Sequence, residues 1–531
     1  MSSQYDAVII GAGHNGLVCA CYLAAAGLRV RVLERRPVVG GAAVTEEFHP
    51  GFRNSTASYT VSLLHPRVIA DLNLHAHGLR IVERPLANFL PLSATDHLLV
   101  GDGLVATQAE FAKYSASDAA RLPEYYARLE RVADVLRELA LQTPPNAGGG
   151  LGDVLKALKL GKRLSGVGLE VQRDLLELFT LSAAEFLDRF FESDPVRAVF
   201  GFDAVVGNFA SPYTPGSAYV LLHHVFGEVN GKKGQWGHAI GGMGAITQAM
   251  AREAEARGVE ISLESPVREV RADAGRVRGV TLEDGTQIDA ARVIGNVNPS
   301  LLYNRMLPAE ALPEDFRERM RHYRNGSGTF RMNVALSELP RFECLPEPGR
   351  QLQAGIIMAP SLDYMDRAYR DARQDGFARE PIVEMLIPST VDDSLAPPGK
   401  HVASLFCQHF HPTPPAGQSW DVLRNQAVEA IFATVNRFAP NFRASVEGYL
   451  ALSPLDLERR FGLVGGDIFH GRLSLEQLFS ARPVLGHGDY RGPLKGLYMC
   501  GSGTHPGGGV TGMPGFNAAR EILRDRRPWY R

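Results

Sequence analysis

The sequence is poor in what would mark a disulfide-rich, redox-dithiol or membrane-spanning protein. It has five cysteines in 531 residues, and none forms a Cys-x-x-Cys pair. Neither a disulfide framework nor a dithiol redox motif is therefore expected. Cys19 and Cys21 are close in sequence, but positions i and i+2 of a helix do not face each other. A reducing, cytoplasmic setting fits this usage. No run of eighteen apolar residues occurs, so no transmembrane helix is expected. The first strand-like run starts at Tyr5, which leaves no room for a signal or transit peptide ahead of it. Charge is nearly balanced, with 56 Lys+Arg against 58 Asp+Glu, and this argues against nucleic acid as a partner. Tryptophan is scarce, with three residues at positions 236, 420 and 529.

What is present is concentrated first at the N-terminus. Gly11-Ala12-Gly13-His14-Asn15-Gly16 follows the apolar run Ala7-Val8-Ile9-Ile10. An Ala-rich helical run, Leu17 to Ala26, comes next and stops at Gly27. A second strand-like run, Leu28 to Leu33, ends in the acid Glu34. This order predicts a βαβ dinucleotide-binding unit. Gly11, Gly13 and Gly16 permit the tight turn and close approach of a pyrophosphate. The helix start, with Asn15, offers free N–H groups and a positive dipole end to the phosphates. Glu34 stands where a carboxylate accepts hydrogen bonds from ribose hydroxyls. Arg35 follows it, and then Gly40-Gly41-Ala42, where the absence of a Cβ lets a second piece of backbone reach the same pyrophosphate.

The rest of the chain divides by composition. Residues 1–100 read as the first part of a dinucleotide-binding domain. Residues 101–235 read as a helical region, with apolar spacing at Leu122, Tyr125, Leu129, Val132, Leu136 and Leu139 and a break at 144–150. Residues 236–300 return to the dinucleotide domain. They carry Gly241-Gly242-Met243-Gly244, a helix, the run Ser265 to Val270, and a hairpin through Val277 to Leu282 with Gly285 beyond it. Residues 301–460 form a substrate domain of mixed strands and helices. Residues 461–531 close the dinucleotide domain. There the strand Leu497 to Cys500 leads into the glycine-dense loop Gly501 to Gly515, and then a helix. Such a loop, with Pro514 near the first helical turn, is an anion or dipole site. No second βαβ fingerprint occurs.

The runs YDAVIIGAGHNGLVCACYLAAAGLRVRVLERRPVVGGAAVTEE and GLYMCGSGTHPGGGVTGMPGFNAAREIL resemble the phytoene desaturase-like family of FAD oxidoreductases. The segments FDAVVGNFASPYTPGSAYVLLHHVFGEVNGKKGQWGHAIGGMGAITQAM and LERRFGLVGGDIFHGRLSLEQLFSARP resemble it too, and the likeness covers nearly the whole chain. It implies an α/β fold: a Rossmann-like FAD-binding domain of the glutathione reductase and amine oxidase type, interleaved with an α+β substrate domain and a helical region. It implies FAD as cofactor. Its contacts are expected at Gly11, Gly13, Asn15, Gly16, Glu34, Arg35, Gly40, Gly41, Ala42, Val267 (through its backbone, at the adenine), Gly501, Gly512 and Met513. An apolar isoprenoid or lipid-like substrate is implied, with hydride passing to flavin N5 and oxygen or a quinone reoxidising the flavin. Two alternatives stand: an amine-oxidase-like flavoenzyme, for which an aromatic cage and a buried carboxylate would speak, and a flavin-bearing regulatory protein with little turnover.

Polar candidates are few. His470, in the loop expected beside the flavin, His224 and Asp203 are the expected catalytic groups, near the closed end of an elongated apolar cavity. That cavity is expected to lead from the flavin toward residues 151–225. His505 reads as a packing or flavin-contact residue. Cys407, His409 and His411 alternate along a strand-like run, but no fourth ligand is evident and no metal is expected. Lys156, Lys159, Lys162 and Arg163 lie among Leu155, Leu158, Leu160 and Leu164. This is a basic amphipathic stretch suited to a solvated face or to peripheral contact with anionic lipid. The sequence leaves the oligomeric state open.

Overall fold

The computed structural model describes residues 4–415 and 417–526, without the side chains of His223 and His224. Two sheets carry the chain. The first is parallel and five-stranded, in the order Glu260–Ser262, Val30–Leu33, Ala7–Ile10, Val293–Gly295 and Leu497–Met499. Its central strand is a continuous apolar run, Ala7-Val8-Ile9-Ile10, buried on both sides. That pattern belongs to a parallel sheet covered on both faces. One face is covered by helix His14–Ala25, which packs against helices Gly244–Ala256 and Met513–Arg524. Small residues make the close packing possible: a Cβ on Gly515 would lie 2.2 Å from the Asn15 carbonyl oxygen. The other face is covered by the three-stranded antiparallel sheet of Val267–Asp273, Arg276–Leu282 and Gln287–Asp289. Each fully buried Val, Leu or Ile contributes about 1.5–3 kcal/mol to such a core.

The second sheet has seven strands, in the order Val446–Leu452, Phe330–Leu336, His401–Phe410, Phe377–Leu386, Gly355–Met358, Leu86–Pro91 and His97–Gly101. All its pairs are antiparallel except Gly355–Met358 with Leu86–Pro91. The segment 1–100 therefore supplies strands to both sheets. Leu86–Pro91 and His97–Gly101 sit at the edge of the sheet built mainly from residues 330–452. Their apolar side chains join its core, with Phe89 against Phe342 at 5.3 Å.

The helical region packs on the seven-stranded sheet, sharing a core with Leu90, Leu98, Ile357, Ile382 and Phe406. Helices Leu104–Ala112, Ala116–Ala140, Leu151–Gly166, Leu169–Thr180, Ala183–Leu187 and Asp194–Val205 follow one another. Leu122, Tyr125, Leu129, Val132 and Leu139 are buried along Ala116–Ala140, as their helical spacing predicts. Among the described residues, no helix is long and apolar enough to cross a membrane.

Candidate functional site

The carboxyl-terminal ends of the central parallel strands open into a cavity of about 420 Å³. One half of it is the glycine cradle. Gly11, Gly13, Asn15, Glu34, Arg35, Gly40, Gly41, Ala42 and Val267 all line this cavity. Gly11 has φ +97°, and a Cβ there would lie 2.9 Å from the Asn296 carbonyl oxygen. Gly13 and Gly40 bridge the two loops, so the two backbone approaches read from the sequence converge on one spot. Gly16 does not line the cavity. It packs under it, where a Cβ would meet the Gly11 carbonyl oxygen at 2.4 Å. Asn296 was not singled out from the sequence as a site residue, yet its amide donates to the carbonyls of Gly11 at 3.0 Å and Gly13 at 3.3 Å.

Glu34 is buried. Its carboxylate accepts from the backbone N–H of Ala12 at 2.8 Å and of Arg36 at 3.0 Å. The carboxylate is thus fixed at the cavity wall with lone pairs left for ribose hydroxyls. The fit to FAD can be judged on the chain itself. A long cavity begins at this acid and a glycine cradle too tight for Cβ atoms. It is lined further on by buried polar atoms without a protein partner: Asn15 Oδ1, His14 Nε2 and His470 Nδ1. Buried polar atoms of this kind cost free energy unless something bonds to them. A dinucleotide with a polar ring at its far end answers that need.

The C-terminal loop closes one side. Ser502, Gly509 and Val510 line the cavity. Gly501 lies just behind, 3.1 Å from Asn296 Oδ1 for an added Cβ. Gly512 has φ +75° and turns the chain into helix Met513–Arg524. Met513 faces a second cavity instead.

The polar candidates separate. His470 lines the first cavity, in a left-handed backbone at φ +57°. The loop carrying it is held by Arg482, which is fully buried and donates to the carbonyls of Phe469 at 2.7 Å, Gln477 at 3.1 Å, Gly471 at 3.4 Å and Ser502 at 2.8 Å. Asp203 does not reach either large cavity. It lies on helix Asp194–Val205, whose turn carries it toward Tyr125 and Tyr126, and burial raises its carboxyl well above the usual range. This corrects the expectation that placed it near the cavity's closed end. The side chain of His224 lies outside the described residues. His505 stacks edge-on against Phe479 at 5.1 Å and faces the second cavity. Cys407 and His409 are buried in strand His401–Phe410, with His411 beyond its end. Among the described residues, no group of three or more His, Cys, Asp and Glu is placed to hold a metal ion.

Residues that sequence reasoning missed build the far half of the first cavity. Tyr59, Trp236, Glu384 and Phe406 line it. Tyr59 donates to Glu384 at 2.5 Å and stacks on Phe406 at 5.2 Å. The Arg331 guanidinium lies 4.5 Å over the Tyr59 ring. Burial and the neighbouring Glu384 raise the Tyr59 phenol well above its usual range. The Tyr59–Glu384 pair can therefore hold a proton at the cavity wall.

The buried imidazoles have a consequence for pH. Burial pushes His14, His470 and His505 down to about 4 and His409 down to about 3. In the unfolded chain a histidine titrates near ~6.5. Between these values the unfolded chain binds more protons, so stability is complete above about pH 6.5 and is lost as pH falls toward about 4. The urea midpoint is expected to be level around neutral pH and to fall steadily below about pH 6.5. A midpoint that stays level down to about pH 4 contradicts these four neutral, buried rings.

The second cavity, about 810 Å³, lies under the helical region. Its walls are mostly apolar, including Leu139, Leu160, Leu164, Leu175, Phe179, Leu222 and Phe226. It shares Leu63 as a wall with the first cavity. The single elongated cavity expected to lead from the flavin toward residues 151–225 is instead two cavities, and the apolar one lies beside the cofactor cavity without His470 or Asp203 in its wall.

Together, the parallel sheet and the glycine cradle with its buried acid Glu34 define a dinucleotide-binding flavoprotein, with a second, seven-stranded sheet beside them. Residues 16–330 match the model of the flavin containing amine oxidoreductase family. The chain belongs to this family and is an FAD-dependent oxidoreductase. It is 41% identical to pyridine nucleotide-disulfide oxidoreductase domain-containing protein 2 of Mus musculus, over 99% of this chain and 94% of that protein. It is 25% identical to one of the limonene dehydrogenase polypeptides of Castellaniella defragrans, over 98% of this chain and 95% of that one. It is 23% identical to a lycopene-forming phytoene desaturase of Paracoccus, over 96% and 95%. Among solved structures, putrescine oxidase shares the fold with a TM-score of 0.59 at 16% identity, covering 98% of each chain.

Proposed function

We propose that this oxidoreductase dehydrogenates an apolar, isoprenoid or lipid-like substrate, with oxygen or a quinone as the final acceptor. The observation that carries this reading is the apolar 810 Å³ cavity sharing a wall with the FAD cavity. Limonene and phytoene, named in two relatives, are both isoprenoid hydrocarbons. FAD, when bound, supplies a two-electron acceptor for a C–H bond held against its ring. The chain's residues do the rest. Leu, Phe and Val side chains orient an apolar chain and exclude water, and orientation alone lowers a barrier substantially. Tyr59 and Glu384 hold a proton at the wall of the first cavity, the one that takes FAD.

Amine oxidation is the second reading. Glu384 is a buried carboxylate beside Trp236 and the Tyr59–Phe406 stack, the kind of constellation an ammonium group would use. Arg331 and Arg84 weigh against it. Both are buried close to Tyr59 and Glu384, and two guanidinium groups disfavour a third cation in the same low-dielectric space.

The test is anaerobic mixing of the FAD-loaded protein with three donors. Limonene or a longer isoprenoid alkene in detergent is expected to bleach the flavin. Putrescine and NADPH are expected to leave it oxidised over the same time. NADPH is included because only one dinucleotide-binding fold is found among the described residues. Bleaching by putrescine alone replaces the apolar reading with the amine reading.

A further inference from the structure

The helix pair that roofs the apolar cavity has an outer face that no part of the described chain covers. Helix Leu151–Gly166 has no buried residue at all. Leu151, Val154, Leu155 and Leu158 are between 51 and 84% exposed. Their spacing, i, i+3, i+4 and i+7, puts them on one face. Leu169 and Leu176 on the following helix are exposed as well. Of the fourteen large apolar side chains exposed among the described residues, six fall within this short stretch, so the patch is a concentration and not the scatter normal for a surface.

The basic charge is concentrated on the first helix of the pair, while the second carries Glu170, Asp174 and Glu177 against Arg173. Lys156, Lys159, Lys162 and Arg163 stand on helix Leu151–Gly166 against a single acid, Asp153. The whole chain, by contrast, is slightly negative, at −2. Lys156 pairs with Asp153 at 2.9 Å, and Arg163 pairs with Glu138. Lysines that flank an exposed leucine stripe are the pattern of a helix lying in the interface of an anionic bilayer.

The opposite faces of the same helices lead inward. Leu160, Leu164 and Leu175 line the 810 Å³ cavity, and Leu176 does so while also being exposed. The Leu176 side chain is thus a rim between outside and cavity.

We propose that helix Leu151–Gly166 is a docking surface for an anionic lipid bilayer, and that the neighbouring rim at Leu176 is the portal through which an apolar molecule passes from the bilayer into the cavity. The portal rests on the apolar-substrate reading; the docking surface does not. No spanning segment is required, because the exposed leucines sink only into the headgroup and upper acyl layer.

The test uses the FAD-loaded protein and two sets of vesicles, phosphatidylcholine alone and phosphatidylcholine with phosphatidylglycerol. The protein is expected to sediment with the anionic set at low salt, to do so at least tenfold less with the neutral set, and to be released by high salt. Leu155→Glu with Leu158→Glu, and separately Lys159→Glu with Lys162→Glu, are each expected to reduce binding at least tenfold. All four positions are exposed, so flavin content and the circular dichroism spectrum should match the parent protein. A parent protein that stays in the supernatant, sediments equally with both sets, or is unaffected by both double substitutions overturns the proposal. Failure of isoprenoid donors to bleach the flavin, with vesicle binding intact, would remove the substrate reading and leave the docking surface standing.

Discussion

Gly11→Val is expected to yield a folded but colourless protein. Gly11 holds φ +97°, and an added Cβ falls 2.9 Å from the Asn296 carbonyl oxygen. For a β-branched residue this backbone region is strained by about 1–2 kcal/mol before any clash. The loop must then move, and both Gly11 and Asn296 line the cavity meant for the pyrophosphate. The Asn296 amide also loses its 3.0 Å contact to the Gly11 carbonyl. Flavin absorbance per mole of protein should fall to near zero and should not return on adding FAD. Gly27→Asn is the control: φ is +79° there as well, but nothing lies within 4 Å of an added Cβ, and asparagine tolerates left-handed backbone. That protein should remain yellow. A yellow Gly11→Val protein would remove the glycine loop from the cofactor site.

The second large effect is expected from Arg482→Ala. Arg482 is completely buried and donates to the carbonyls of Phe469, Gly471, Gln477 and Ser502. Removing it orphans several carbonyls, each at a cost of about 1–3 kcal/mol. A loss of about 3–5 kcal/mol is expected in urea denaturation, after allowance for partial relaxation. The loop bearing His470 is one end of this clamp and Ser502 on the cofactor side is the other, so FAD should dissociate faster too. Arg482→Lys should recover part of the stability, since an ammonium restores the charge but not the planar fork. Equal stability of Arg482→Ala and the parent protein would show that the clamp does not hold the loop.

The cofactor half of the site was legible because its parts are local. Gly11 to Gly16, Glu34 and Gly40-Gly41 are contiguous short patterns, and each needs its residue type for a reason that travels with the backbone. The apolar character of residues 151–225 was legible from composition, but the cavity they help to wall is not local: Leu63, Leu139, Leu222 and Leu478 reach it from separate segments. The polar far end was not. Tyr59, Arg84, Arg331 and Glu384 come from four separate segments and meet only when Leu86–Pro91 joins the edge of the second sheet and Phe330–Leu336 pairs with His401–Phe410. No spacing in the sequence announces that meeting. His14 was hidden differently. It occupies a variable position of the glycine motif, yet it is half-buried with its Nε2 out of solvent, lines the cavity and lies against the Gly509 backbone. Asp203 misled because an acid in an apolar run reads as a cavity group. The phase of helix Asp194–Val205 decides its direction, and that phase is set by packing against Tyr125 and its neighbours.

The central claim is that an apolar molecule in the 810 Å³ cavity delivers electrons to FAD. Leu164→Trp, at the cavity wall, narrows that space without touching the cofactor half. The decisive measurement is the rate of anaerobic flavin bleaching by an isoprenoid alkene in the parent protein and in this variant, at equal flavin content. Saturable bleaching is predicted in the parent, with a rate at least tenfold lower in Leu164→Trp. No bleaching in the parent, or the same rate in both proteins, would contradict the claim.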